Sequence, residues 1–281
     1  MCNQMEKERE QHLMKTTQIF LPDRQALAFY REKATPEFWD KHWSATDLQT
    51  ILRNSKDDGL FVPMVKKYLP KESVVLEGGC GMGHIVHALQ YQGYQAIGID
   101  FASGTIKNIK EAIPELDVRV GDVFDLPLEN NSLDGYISGG VIEHFWNGYT
   151  PILKEMQRTL KIGGYLFITF PYMSPLRRLK VALRMYPFNE SSMLDDKQDD
   201  FYQFALTIEN FQADMKALGF QLKERLTIDG IKGFKDEVAL FKPYLQQVYD
   251  GKRGQRLRPY FNQFFLSFAS HCAFLVFQKT Q

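Results

Sequence analysis

The chain is poor in cysteine, carries no net charge and contains no long hydrophobic run. Its three cysteines, Cys2, Cys80 and Cys272, are far apart, odd in number and form no CxxC pair. Neither a zinc knuckle nor a disulfide framework is therefore indicated, and no metal site is expected. Lys plus Arg and Asp plus Glu each number 34, so the formal net charge is zero. No global field draws in nucleic acid or an anionic membrane, although local patches are not excluded. The longest apolar stretches, such as Phe264 to Phe277, are broken by Ser267, Ser270 and His271. None reaches the roughly 20 residues of a transmembrane helix, so stable membrane insertion is not expected. The first residues, MCNQMEKEREQHL, are charged and lack an apolar signal core, which points to a reduced cytoplasmic setting.

What is present is an ordinary globular composition, 44% hydrophobic and 24% charged, in a chain long enough for one large domain with additions. Residues 1–70 read as a helical, aromatic-rich region containing FWDKHW, Phe38 to Trp43. Residues 71–281 read as one α/β domain with an insertion at about 172–206. Between 71 and 171, short apolar runs alternate with helical patterns: SVVLEGG, YQAIGID, DVRVGD, SLDGYISGG and GYLFITFP as strands, with HIVHALQYQG, ASGTIKNIKEAI and PILKEMQRTL as helices. Strands alternating with helices imply βαβ units and a doubly wound, mostly parallel sheet. Ligands bind such sheets outside the carboxyl ends of the strands, so the residues just after each strand carry the functional weight.

The first of these is Glu77-Gly78-Gly79-Cys80-Gly81-Met82-Gly83. Glycine lets the chain adopt unusual backbone angles and lets a ligand approach the main chain, and the following helix points free N–H groups at the loop. The spacing is Glu-x-Gly-x-Gly-x-Gly, and neither register fits the G-x-G-x-x-G of a dinucleotide loop. Glu77 suits a cationic amino group and would repel a pyrophosphate. Asp100 ends the second strand, 23 residues after Glu77, where a carboxylate can accept from both ribose hydroxyls of an adenosine. A helix cap is the blander role. Asp122 ends the third strand and can accept from an adenine amino group while the Val123 N–H donates to a ring nitrogen; a turn carboxylate is the alternative.

This ordered set resembles the class I S-adenosylmethionine-dependent methyltransferases, in particular the small-molecule branch that includes the ubiquinone and menaquinone biosynthesis enzymes. The segments that carry the likeness are VVLEGGCGMG, AIGIDFA, GDVFDLPLENNSLDGYISGGVIEHF and LKIGGYLFITFPY, with a weaker likeness at 201–222. The resemblance implies a Rossmann-like, seven-stranded sheet whose last strand is antiparallel, with late strands near 221–228 and 271–278. It implies S-adenosylmethionine as cofactor, held by Glu77, Gly79, Gly81 and Gly83 around the methionine part. It also implies Asp100 at the ribose, Phe101, Asp122 and Val123 at the adenine, and Gly139 near the amino group. The implied activity is methyl transfer to a small-molecule acceptor. A non-catalytic cofactor-binding protein stays open, and a nicotinamide oxidoreductase is disfavoured by the glycine spacing.

Candidate catalytic groups are Glu143 and His144 in VIEHF, with a part in the architecture of the cofactor site weighed above a general base. His84 could lie over the cofactor's carboxylate, whereas His87 reads as packing. For Phe38, Trp39 and Trp43, core and lid stay equally open. In the 172–206 insertion, Leu176, Leu179, Ala182 and Leu183 sit at helical spacing among Arg177, Arg178, Lys180 and Arg184. A solvated amphipathic helix packed on the body is the main expectation. A substrate-selecting cap lined by Phe188, Phe201, Tyr202 and Phe204, or a helix touching a membrane surface, is the sharper one. The basic run Lys252 to Arg258 reads as a surface loop. Oligomeric state is not legible.

Overall fold

The computed structural model describes residues 17–44, 57–250, 256 and 258–281. Cys2 and the charged N-terminal segment, residues 45–56, and Lys252 and Arg253 of the second basic run lie outside the described residues.

In chain order the elements are β1 (Thr17–Leu21), β2 (Ala26–Tyr30), α1 (Pro36–Ser44), α2 (Phe61–Tyr68), β3 (Val74–Gly78), α3 (His84–Tyr91), β4 (Gln95–Asp100), α4 (Ser103–Ala112), β5 (Val118–Val120), β6 (Leu133–Gly139), α5 (Thr150–Thr159) and β7 (Leu160–Pro171). They continue with α6 (Pro175–Ala182), β8 (Phe201–Ala205), α7 (Ile208–Ala217), β9 (Phe220–Ile228), α8 (Gly230–Glu237), α9 (Lys242–Tyr249), α10 (Arg258–Ala269) and β10 (Cys272–Lys279).

Seven strands form one sheet in the order β5-β4-β3-β6-β7-β10-β9. Strands β3 to β7 pair in parallel, and β10 runs antiparallel to both β7 and β9. Both faces of this sheet are covered, which explains the near-continuous apolar runs of its strands. Successive residues alternate between two cores, as side chains on a pleated strand must. Leu76, Tyr136, Leu166, Ile168 and Leu275 enter one, and Val75, Ile137, Phe167, Phe274 and Val276 the other. The chain winds outward from β3 through β4 to β5, then returns to place β6 on the other side of β3. That reversal opens a crevice at the carboxyl ends of β3 and β6.

The N-terminal region corrects its helical reading. Among its described residues, β1 and β2 form an antiparallel hairpin, and β8 pairs with the free edge of β2 to complete a three-stranded sheet. The alanines of Ala26–Tyr30 read as helix formers, yet all five residues are buried, and partners far away in sequence decide the strand. Only α1 and α2 keep the helical expectation.

The insertion is corrected in a second way. Its amphipathic helix forms as α6, but turned: Arg177 is 1% exposed, whereas Leu179 is 48% and Leu183 62% exposed. The Arg177 guanidinium donates to Glu237 Oε1 at 2.8 Å and to the Tyr172 carbonyl at 2.7 Å. The other oxygen of Glu237 accepts from Lys180 Nζ and the Tyr186 hydroxyl. Burial pushes the Glu237 carboxyl up, but Arg177 and Lys180 outweigh it and hold the group below its usual range. A cation buried this deeply persists only because its donors are met.

Candidate cofactor and active site

The glycine loop follows β3 directly. Gly79 and Gly81 have φ of +78° and +47°, values that cost an L-residue about 1–2 kcal/mol. The loop is held down by the Gly79 N–H, which donates to the Ile99 carbonyl at 2.7 Å, and by the Gly81 N–H, which donates to Asp100 Oδ2 at 2.8 Å. A Cβ on Gly79 would stand 2.4 Å from Val141 Cγ2, and one on Gly81 would stand 3.1 Å from the Trp43 indole. Backbone and neighbours thus leave a cradle with no room for side chains.

Glu77 lies beneath this loop, nearly buried, and its Oε2 has no hydrogen-bond partner. Burial pushes its carboxyl well up, Asp58 and Asp100 push it further, and the Val86 N–H at the start of α3 partly offsets them. Asp100 uses both oxygens on the backbone, Oδ2 as above and Oδ1 from the Ala102 N–H at 2.9 Å. Burial raises it too, against those N–H donors. Its loop-holding role and its place on the cavity wall coexist, because each carboxylate oxygen has a second lone pair. Asp122 likewise does both: Oδ1 accepts from the Phe124 N–H at 2.9 Å as a turn carboxylate, and the residue lines the same cavity.

That cavity, about 340 Å³, opens at the carboxyl ends of β3, β4 and β6, a volume within the usual range of ligand sites. It brings together Gly79, Gly81, Asp100, Phe101, Asp122, Val123, Gly139 and His144, all singled out from sequence. Of the residues assigned to cofactor binding or catalysis, three are not on its wall, and neither are His84 and Phe38. Gly83 sits at the start of α3 facing Leu116 and Val118, Glu77 lies under the loop, and Glu143 is enclosed behind it. Ala34, Gly121, Phe124, Val141 and Phe145 line the cavity without having been identified. Phe124 and Phe145, in contact at 4.8 Å, stood beside flagged residues in GDVF and VIEHF. Val141 opens the same VIEHF segment, whereas Ala34 carried no signal. Among the described residues lining the cavity there is no Lys or Arg.

The aromatic cluster of α1 closes over this site. Trp39 and Trp43 line the cavity, stacked on each other at 6.0 Å. Trp39 also meets His144 edge-on at 5.4 Å. The helix is latched by Asp40, whose carboxylate accepts from the Gly104 N–H at 3.1 Å, the Thr105 N–H at 2.7 Å and the Thr105 hydroxyl at 2.8 Å. Helix α4 has no side-chain cap from its own N-cap residue, Ala102, so Asp40 supplies one from a distant segment. Asp40 was not identified from sequence, because such a cap has no local spacing.

His144 is half-buried on the cavity wall. Burial pulls it down to about 4, against the Tyr202 carbonyl, so the ring is neutral near pH 7. Its Nδ1 lies 2.7 Å from that carbonyl. A carbonyl only accepts, so Nδ1 carries the proton and Nε2 keeps its lone pair. Glu143 is pushed up to about 8 by burial and is therefore mostly protonated near neutrality, with Oε2 unpartnered. Of the four aromatics expected to line an acceptor pocket, Phe201 and Phe204 instead pack against Trp146 in the core, and Phe188 packs on Phe20. Tyr202 alone approaches the site, with its ring 5.0 Å from His144.

Residues 76–168 match a family model described as a methyltransferase domain. A Mycolicibacterium smegmatis protein named as a probable S-adenosylmethionine-dependent methyltransferase is 32% identical over 97 residues, which is 34% of this chain and 37% of that one. Phosphoethanolamine N-methyltransferase 1 of Zea mays is 26% identical over 152 residues, 50% of this chain and 30% of that enzyme. The chain thus spans about a third of the length of the curated relatives it matches. Among solved structures, geranyl diphosphate C-methyltransferase from Streptomyces coelicolor A3(2) superposes with a TM-score of 0.55 at 12% identity, covering 88% of this chain and all of that one (100%). The fold and the matched segment define a Rossmann-like methyltransferase domain. More narrowly, the curated relatives that this segment resembles include proteins named as probable S-adenosylmethionine-dependent methyltransferases.

Proposed function

We propose that the protein transfers a methyl group from S-adenosylmethionine to a small, largely apolar acceptor by direct in-line displacement. The observation that carries this reading is the charge of the cavity. Asp100 and Asp122 line it, Glu77 lies beneath its loop with a free carboxylate oxygen, and no Lys or Arg is on its wall among the described residues. A cationic, phosphate-free adenosine ligand fits that environment, whereas a dinucleotide pyrophosphate would meet carboxylates and no Lys or Arg among the described residues.

On this reading Glu77 and the Gly79–Gly81 cradle take the amino-acid part, Asp100 the ribose, and Asp122 with Val123 and Phe101 the adenine. Gly139 contributes backbone near the amino group. The bound sulfonium supplies an electrophilic methyl group. The protein's part is to hold the acceptor in line and exclude water, and Trp39, Trp43, Phe124 and Phe145 furnish apolar walls for that. The Nε2 lone pair of His144 is the group available to accept a proton or hydrogen bond from the acceptor. Glu143, behind the wall, acts as a positioning residue. Of the proteins named above, one is an N- and another a C-methyltransferase, so acceptor choice rests with these walls rather than with the fold.

Calorimetric titration with S-adenosylmethionine and with NAD tests the cofactor. Binding of NAD with no response to S-adenosylmethionine would overturn the reading. Release of S-adenosylhomocysteine with a panel of apolar phenols, alcohols and amines tests transfer, and cofactor binding without any turnover would reduce the protein to a binding module.

A further inference from the structure

We propose that the face formed by α6 and α10 docks on an anionic lipid surface. On α10, Tyr260, Phe264 and Phe268 are 75%, 75% and 40% exposed. They are four residues apart, so they share one side of the helix. Helix α6 packs beside α10 and carries its own solvent-facing pair, Leu179 and Leu183, also four residues apart, with the exposed Met185 just beyond. These side chains are not unfinished core. The helical unit has its own interior in Ile231, Leu245 and Val248, over which Phe234 and Phe265 stack at 4.2 Å. The apolar stripe is surplus to folding.

The charge around it is mainly positive. Residues 175–186, 230–250 and 256–269 contain nine Lys and Arg against three Asp and Glu, in a chain whose net charge is zero. Two of the three acids are spent internally, Glu237 on Arg177 and Lys180, and Asp236 on Lys232 and Lys235. Arg184, Lys242, Arg256 and Arg258 are exposed. Apolar side chains backed by long cationic ones are what an interfacial helix needs: the former enter the acyl boundary while the latter reach headgroup phosphates. No helix among the described residues is long and apolar enough to cross a membrane, so the contact lies in the plane of the surface.

Two other occupants fit less well. A second copy meeting this face across a two-fold axis would set the same cations against one another. A nucleic acid would find partners for the aromatics but none for Leu179, Leu183 and Met185.

The test is co-sedimentation of the full chain with vesicles of phosphatidylcholine alone and of phosphatidylcholine mixed with phosphatidylglycerol. Binding is expected only to the mixed vesicles and is expected to weaken as salt rises. The double substitution Leu183→Ser, Phe264→Ser should weaken it about tenfold or more, and Arg184→Gln or Lys242→Gln about fivefold each. Unchanged S-adenosylmethionine binding and melting temperature confirm that the variants remain folded. No binding to mixed vesicles at low salt, or equal binding by the double variant, overturns the proposal. So does a dimer in light scattering, or an oligonucleotide complex, that the same double substitution abolishes.

Discussion

The sheet body, residues 74 to 171, and the cap around it distribute polarity in opposite senses. In the body, apolar side chains fill both faces of the sheet, and the carboxylates Asp100 and Asp122 stand at strand ends on the cavity wall. In the cap, a guanidinium, Arg177, is fully enclosed, while Leu183 and Phe264 face solvent. Hydropathy therefore predicts burial well in the body, where each strand is covered on both faces whatever its neighbours are. It fails in the cap, where burial depends on which distant segment supplies a partner.

The largest way to break that contrast is Glu237→Ala. It leaves Arg177 enclosed without its carboxylate, a change that costs about 3–5 kcal/mol and should be plain in urea or thermal unfolding. Replacing both partners, Arg177→Met with Glu237→Leu, should restore most of the loss. If the double variant is as unstable as the single one, the loss lies with Lys180 and Tyr186, the other donors to Glu237, rather than with the enclosed Arg177. Next is Gly79→Ala in the body. The positive φ costs about 1–2 kcal/mol, and the new Cβ would strike Val141. Affinity for S-adenosylmethionine should fall about tenfold or more on the same energy scale, as read by calorimetry.

Asp40→Ala tests the latch between the two regions. Losing a helix cap costs about 1 kcal/mol. Tryptophan fluorescence should shift as Trp39 and Trp43 become exposed, with a loss of cofactor affinity of about fivefold or less on the same scale. Asp40→Asn should recover part of it, since Asn also caps helices. A smaller effect concerns Glu143. Its folded value of about 8 lies above its ordinary 4.5, so it contributes stability that is fully present below pH 4.5 and lost as pH rises towards 8. His144, lowered to about 4 from 6.5, has the opposite slope, with its stability present above pH 6.5 and lost as pH falls through 4. The clean window is therefore pH 6.5 to 8, where melting temperature should decline more steeply in the parent than in Glu143→Gln. Parallel profiles would show that Glu143 does not carry that proton.

The body was legible because its signals are local. Glu77, Asp100 and Asp122 each follow an apolar run, and β3 to β7 form within a few residues of their expected bounds. The late strands β9 and β10 also fall where the resemblance placed them. Asp40 was invisible because the helix it caps begins at Ser103. The β1–β2–β8 sheet was invisible because Ala26–Tyr30 has no strand pattern of its own. Arg177 misled because a cation at that position on an isolated helix would face water, and only Glu237 reverses that.

The pairing of Leu27 with Ala205 also sets a schedule for synthesis. At ribosomal rates the hairpin of β1 and β2 waits on the order of ten seconds for β8 to emerge. During that interval the inner edge of β2 offers unpaired backbone groups to any passing strand. The body between them can fold meanwhile, since its parallel units are contiguous in the chain. The return of residues 201–205 then closes an edge laid down at the start, ahead of the still later insertion of β10 beside β7.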